Sequence, residues 1–286
     1  MKHFIILGNG YVARNLHRYF VDKRLYVFCV TTFSQLEDVA YDVMEQWEAT
    51  GHCEIYLINC FSIFNDAELN MFEEFLFSLR NFSFKRTEVR FIDINSLAVF
   101  GTTLELINRG IFSVNLERFK CAPTSCSYVS LKRRQLGCLE RILVANQNIG
   151  VSVVFSGAVI DRSRTPRFIR AFSLLSIFST KRCLKRWTYA CSTFEKLGDS
   201  ILAVKAESAQ IVCSNVPIND IADILMFKFK PGTMPLVDWT RLPKACLLLA
   251  RVVFGDNIAA LKGIVKYRDH GAVKLSLFFS RNRTEL

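Results

Sequence analysis

The chain has no Cys-x-x-Cys pair, although it carries ten cysteines. Its four histidines, at 3, 17, 52 and 270, stand far apart, and none lies near Cys121 and Cys126, the closest cysteine pair. No metal site is expected from ligand spacing. Cys29, Cys60 and Cys213 sit inside apolar runs, where cysteine packs as a small hydrophobe. The thiols are therefore read as reduced core groups of a cytoplasmic protein. Long apolar runs are missing too. The longest near the end, Ala245 to Phe254, is broken by Arg251, and a membrane span needs about 18 apolar residues or more. Lys2 is followed by only five residues before Gly8, too few for a signal peptide. Internal repeats and low-complexity tracts are absent.

Acidic residues are in deficit. Asp and Glu number 26 against 37 Lys and Arg, a net charge of +11. The plain reading is a soluble protein of high pI. The sharper one is an anionic partner: a phosphorylated ligand, a nucleic acid or a membrane surface. Basic residues gather at Lys132–Arg134, Arg162–Arg170, Lys181–Arg186 and Arg281–Arg283, never as a run of five. No nucleic-acid motif accompanies them, so nucleic acid is not the expected partner.

What is present is a globular composition: 286 residues, 51% hydrophobic and 22% charged, with 25 Phe to fill a bulky core. One large domain, or one with a small second lobe, follows. Short apolar runs alternate with longer amphipathic ones. Strands are expected at Phe4–Leu7, Leu25–Thr31, Ile55–Cys60, Val89–Asn95, Val151–Phe155 and Gln210–Cys213. Continuous apolar runs are how strands buried on both faces of a parallel sheet read. Helices are expected at Tyr11–Phe20, Gln35–Trp47, Asp66–Asn81 and Tyr128–Ala145. In the first, Val12, Leu16 and Phe20 share a face. The alternation predicts an α/β fold, a Rossmann-like parallel sheet flanked by helices.

From about Asp161 the pattern loosens. Arg162–Thr188 is basic and aromatic, Lys228–Pro235 reads as a loop, and Leu242–Lys262 as a helix. Residues 1–160 are expected to form the nucleotide-binding part, and 161–286 to complete the sheet and add a small C-terminal lobe. Trp187 and Trp239 fall in that second part, where core packing is favoured over stacking on a ligand.

Three segments carry chemistry. The first is Gly8-Asn9-Gly10-Tyr11-Val12-Ala13, of the form GxGxxA, between an expected strand and helix. Gly8 permits the tight turn, Gly10 lets backbone approach a pyrophosphate, and Ala13 lets helix and strand pack closely. A plain strand-to-helix turn is the alternative. The acidic residue usual at the end of the second strand is missing. That end reads Val30-Thr31-Thr32-Phe33-Ser34, neutral donors that would not repel a 2′-phosphate. Arg14, just beyond the glycines, suits one. NADP is therefore the expected dinucleotide, ahead of NAD. The cofactor residues are Gly8, Gly10, Tyr11, Val12, Ala13, Arg14 and Thr31, joined by Tyr128 and Lys132.

The second segment is Tyr128-Val129-Ser130-Leu131-Lys132. Four apart on a helix, Tyr128 and Lys132 share a face. A nearby ammonium favours the phenolate and lowers the Tyr pKa toward usefulness in proton transfer. The alternative is a surface pair. The third is Asp93-Ile94-Asn95-Ser96-Leu97-Ala98-Val99-Phe100-Gly101, which puts a hydroxyl at the carboxyl end of a strand, where open α/β sheets bind ligands.

Together these segments resemble the extended, atypical branch of the short-chain dehydrogenase/reductase superfamily, the NAD(P)-dependent epimerase/dehydratase-like enzymes. Ser96 falls on that branch's Ser-Ser-x-x-Val-Tyr-Gly segment, Tyr128 and Lys132 on its YxxxK. Val216 to Ala222 resembles its His-Val-x-Asp-Val-Ala segment. The resemblance implies catalytic Ser96, Tyr128 and Lys132, and an anionic nucleotide-sugar substrate that is epimerised, dehydrated or reduced. It also implies a homodimer paired through Asp66–Asn81 and Tyr128–Ala145. The first of these holds Leu69, Phe72, Phe75, Leu76 and Leu79, more apolar surface than one sheet face needs. Three features depart from the family: the shortened glycine motif, little room for the usual third strand, and no arginine after Val151–Ser156. Two rivals stay open, an inactive cofactor-binding or regulatory module and a basic nucleic-acid or membrane-surface protein.

Overall fold

The computed structural model describes residues 1–50, 54–81, 88–101, 105–106, 113–114, 116, 124, 126–144, 149–160, 188–217, 220–221, 266–267, 273–276 and 278–279. The chain begins with strand β1 (Lys2–Leu7), helix α1 (Tyr11–Asp22) and strand β2 (Tyr26–Val30). Helix α2 (Phe33–Thr50), β3 (Glu54–Asn59), α3 (Asp66–Asn81) and β4 (Glu88–Ser96) follow. After a 3-10 turn at Leu97–Phe100 come β5 (Ser113–Val114) and α4 (Ser127–Leu139), whose last turn, Glu140–Val144, is a π-helix. The rest comprises β6 (Gly150–Ser156), β7 (Ala158–Val159), β8 (Thr188–Ser192), α5 (Phe194–Ala203), β9 (Ser208–Val212), β10 (Ser214–Pro217), β11 (Lys266–Tyr267) and β12 (Val273–Lys274).

Seven strands form one sheet in the order β12-β9-β6-β4-β3-β1-β2. Every pairing is parallel except β12 with β9. All six expected strands and all four expected helices are present. The sheet is a Rossmann-like parallel sheet flanked by helices, as the alternation required. β2 is its edge, because α2 leads into β3 on the far side of β1. The missing third strand therefore trims one edge, in line with the short spacing seen in the sequence.

Alternation along each strand divides the core in two. Phe4 and Ile6 of β1 join Tyr56, Ile58, Ile92, Val154 and Val212 under α1 and α5. Ile5 and Leu7 join Ile55, Leu57, Phe91, Val153 and Phe155 under α2, α3 and α4. The continuous apolar runs are explained: both faces are covered. Each such side chain stabilises the fold by about 1.5–3 kcal/mol relative to exposure.

Some expectations change. Cys60 and Cys213 are buried, but Cys29 is exposed, since it lies on the edge strand. The apolar face of α3 is consumed within the chain. Leu69, Phe72, Leu76 and Leu79 are buried, and Phe75 packs against the same core. The residues that suggested a dimer thus serve the core, while Met71 and Phe77 of the same helix stay exposed. The cluster at Lys132–Arg134 is consumed as well. Lys132 is buried, Arg133 donates to the Val99 carbonyl at 2.9 Å, and Arg134 pairs with Asp66 of α3. Helix α5 was missed in the sequence, although Thr193 caps it by accepting from the Lys196 amide at 3.2 Å. The clusters Arg162–Arg170, Lys181–Arg186 and Arg281–Arg283, the loop Lys228–Pro235, the helix Leu242–Lys262, and Trp187 and Trp239 lie outside the described residues. Among the described residues no helix is long and apolar enough to cross a membrane, and no metal-ligand cluster occurs.

Gly157 joins β6 to β7 against β8. A Cβ there would fall 2.6 Å from the Ala190 carbonyl oxygen. Gly157→Ala is expected to cost about 1–3 kcal/mol through overpacking. Urea denaturation measures it, and an unchanged midpoint would show that β6 and β8 are not held this closely.

Candidate functional site

The carboxyl ends of β1, β3, β4 and β6 lie side by side, with Leu7 opposite both Val30 and Asn59, and Ser96 opposite Ser156. The chain leaves β1 toward β2 on one side and returns to β3 on the other. Such a reversal opens a crevice where open α/β sheets take ligands. Gly8 stands at its head with φ +114°, and its amide donates to the Val30 carbonyl at 2.8 Å. A Cβ at Gly8 would sit 3.4 Å from the backbone of Cys60. Gly10 is the N-cap of α1, in extended conformation and with no side-chain cap. A Cβ at Gly10 would meet nothing closer than the Ser62 hydroxyl at 3.9 Å. Bare backbone therefore faces open space at a helix N-terminus, which suits a pyrophosphate.

The other residues of this loop divide. Ala13 is fully buried and sets α1 against the sheet. Val12 lines the cavity described below. Tyr11 points elsewhere: its ring meets Phe194 of α5 edge-on at 5.4 Å. Arg14 is exposed and donates through Nε to the Asn9 carbonyl and to the Asn9 side-chain oxygen, each at 3.0 Å. At the end of β2, Thr31 donates its amide and hydroxyl to Gln35 Oε1 at 2.7 and 2.9 Å. The hydroxyl expected to meet a ribose or phosphate is thus turned to the first turn of α2.

Ser96, Tyr128 and Lys132 converge. They line one cavity of about 370 Å³ with Val12, Phe61, Ser156 and Tyr189, a size suited to a small ligand. The Ser96 oxygen accepts from the Ala98 amide at 3.1 Å, and Ser96 lies close enough to Tyr128 to favour its phenolate. The Lys132 Nζ lies 5.9 Å from the centre of the Tyr128 ring. Phe64, exposed, stacks on that ring with centroids 6.3 Å apart.

The electrostatics differ from expectation. Burial pushes the Tyr128 phenol up, against nearby Ser96, which favours the phenolate. Burial holds Lys132 below the usual lysine range, with Asp93 and Glu68 opposing it. The Lys132 ammonium donates to Gln135 Oε1 at 2.9 Å, and burial is the largest influence on the Tyr128 phenol. A second cavity, of about 420 Å³, shares Phe61 and Ser62 with the first and extends to Thr31, Thr32 and α3. It carries two carboxylates, Glu68 and Glu74.

Sequence reasoning missed the polar groups beneath the site. Asn59, Asp93, Asn95 and Gln135 are all buried. Asp93 lies within a segment already singled out, and its signal was a carboxylate inside an apolar strand, rare unless paired.

No family model matches the chain, and no curated protein does. Solved structures do. Human epimerase family protein SDR39U1 (isoform 2), determined with NADPH, is 12% identical with a TM-score of 0.54, over 98% of this chain and 93% of that one. UDP-N-acetylglucosamine 4-epimerase from Bacillus cereus is 8% identical with a TM-score of 0.53, over 84% and 87%. The dTDP-glucose 4,6-dehydratase from Bacillus anthracis, in complex with NAD, is 11% identical with a TM-score of 0.53, over 79% and 82%. At these identities the likeness is one of fold: the chain is similar, across most of its length, to extended short-chain dehydrogenase/reductase enzymes of the NAD-dependent epimerase/dehydratase kind.

Proposed function

We propose that the protein is an NAD(P)-dependent epimerase, dehydratase or reductase acting on a nucleotide sugar or a related keto or hydroxy substrate. The observation that carries this is the meeting of Ser96, Tyr128 and Lys132 in one cavity at the carboxyl edge of the sheet, beside the uncapped glycine turn. The solved structures with NADPH or NAD at this fold support it. The residues fit the dinucleotide. Gly8 and Gly10 would take its pyrophosphate, and Val12, Tyr128 and Lys132 its nicotinamide half. When bound, the nicotinamide supplies hydride transfer.

The chain's own groups handle the proton. The Tyr128 oxygen takes a proton from a substrate hydroxyl, or returns one to a carbonyl. Ser96 fixes the reacting oxygen by hydrogen bonding. Lys132 holds positive charge beside the phenol, so that a passing phenolate is stabilised. An anionic substrate suits the +11 charge. In this reading residues 161–286 add the substrate lobe. The free thiols among the described cysteines suit a reducing, cytoplasmic setting.

For the dinucleotide, NADP is favoured by the lack of a carboxylate at the end of β2 and by Arg14. Arg14→Ala is expected to weaken NADPH binding about tenfold, the loss of one charge-assisted contact, and to leave NADH unchanged. Fluorescence titration of both cofactors checks this. Equal loss for both, or none, would remove the preference.

A second reading is a cofactor-binding module without turnover. The raised Tyr128 pKa and the engagement of Lys132 by Gln135 favour it. The two readings separate when the chain is incubated with NADPH or NAD and a panel of nucleotide sugars. Altered sugar or changed nicotinamide absorbance supports the enzyme; bound cofactor with no product supports the module.

A further inference from the structure

Asp93 is fully buried at the centre of the sheet, and three amides converge on it. Asn59 and Gln135 donate to Oδ1 at 2.6 and 3.0 Å, and Asn95 donates to Oδ2 at 3.0 Å. Each amide then turns its oxygen outward to one part of the site. Asn59 Oδ1 accepts from the Phe61 amide at 3.1 Å. Asn95 Oδ1 accepts from the Ser96 amide at 2.8 Å. Gln135 Oε1 accepts from Lys132 Nζ at 2.9 Å.

We propose that Asp93 is the positioning residue of the site, which through Asn59, Asn95 and Gln135 sets Phe61, Ser96 and Lys132 in place at once. This rests on the cofactor reading above. The logic lies in donor and acceptor capacity. An ionised carboxylate only accepts, so each amide must show it the NH₂ end. The opposite ends of the chains, two backbone N–H groups and an ammonium, only donate, so each must meet an oxygen. Both requirements select the same amide orientation in all three cases. A reversed amide would set oxygen against carboxylate and donor against donor, in a buried place where lost partners are costly.

The three outer contacts bear on the site's parts. Phe61 begins the segment between the two cavities, and its amide nitrogen is 3.5 Å from a Cβ placed on Gly8. Ser96 carries the hydroxyl that meets Tyr128. Lys132 is the buried cation whose charge Asp93 balances through Gln135. Burial raises the Asp93 pKa overall, and Asn59, Lys132, Asn95 and Gln135 all oppose it in favour of the carboxylate.

The test is NMR on the isotope-labelled full chain without ligand, with NADPH titration as a separate arm. Asp93→Asn places a donor where three donors converge. In the folded variant the Phe61 and Ser96 backbone amide resonances and the Lys132 Cε–Hε resonance are all expected to shift, although none of these residues is hydrogen-bonded to Asp93. NADPH affinity is expected to fall about tenfold, on the scale of one lost buried partner. Gln135→Met cuts a single arm: the Lys132 resonance shifts while Phe61 and Ser96 hold. Unmoved Phe61 and Ser96 resonances in Asp93→Asn would overturn the proposal. So would an unmoved Lys132 in Gln135→Met, which decides the matter if Asp93→Asn does not fold. Shifts as expected in a protein that binds no NADPH would support the Asp93 network and reject the cofactor reading.

Discussion

Replacing Tyr128 with phenylalanine is expected to lower turnover by about two orders of magnitude or more, the loss that follows removal of a general acid/base, with NADPH still bound. The ring, its stack with Phe64 and its place in the cavity wall survive the change. Only the oxygen goes, and with it the proton carrier. Ser96→Ala should cost less, because it removes an orienting contact and leaves the proton carrier. Lys132→Met should lower both turnover and cofactor affinity, since it strips a buried cation from the Asp93 network. Steady-state rates on the best nucleotide sugar, with cofactor affinity measured alongside, check all three. A Tyr128→Phe protein with full rate would reject the catalytic assignment.

The second large effect is expected at the glycines, where two neighbouring substitutions should fail in different ways. Gly10→Val places its side chain in open space, with the Ser62 hydroxyl the nearest group at 3.9 Å. Its backbone, φ −77° and ψ −178°, is one any residue adopts. The fold should survive, while the side chain occupies the approach of the pyrophosphate. NADPH affinity is expected to fall about a hundredfold, about 2.7 kcal/mol. Gly8→Val meets a different obstacle. Its φ of +114° is strained for any side chain, and the Cys60 backbone is 3.4 Å away. It should destabilise the chain by about 1–3 kcal/mol before binding is considered. Thermal unfolding and cofactor titration on both variants separate the cases. Normal cofactor binding by Gly10→Val would mean that the glycine turn serves the fold alone.

The central sheet was legible because burial on both faces leaves unmistakable apolar runs. β1 reads Phe4-Ile5-Ile6-Leu7, and each residue is buried. The helices were legible from their stripes, and the glycine turn and Tyr128–Lys132 from spacing. Helix α5 was not, because its stripe of Phe194, Leu197 and Ile201 is short and lies beyond a segment without clean period. The two-residue strands β5, β7, β11 and β12 carry too few residues to show any pattern. The Asp93 network was illegible for another reason. Asn59, Asp93 and Gln135 come from three separate elements, and only the pairing of β3 with β4 and the packing of α4 bring them together. The direction of the Tyr128 pKa was misread for the same cause. Spacing placed an ammonium near the phenol, but burial decides the outcome.

The most direct measurement is calorimetric titration of NADPH and of NADH into the unsubstituted 286-residue chain. The cavity at the sheet's carboxyl edge and the bare glycine turn predict saturable binding of one dinucleotide per chain, tighter for NADPH. Absence of saturable binding by both cofactors would contradict the account.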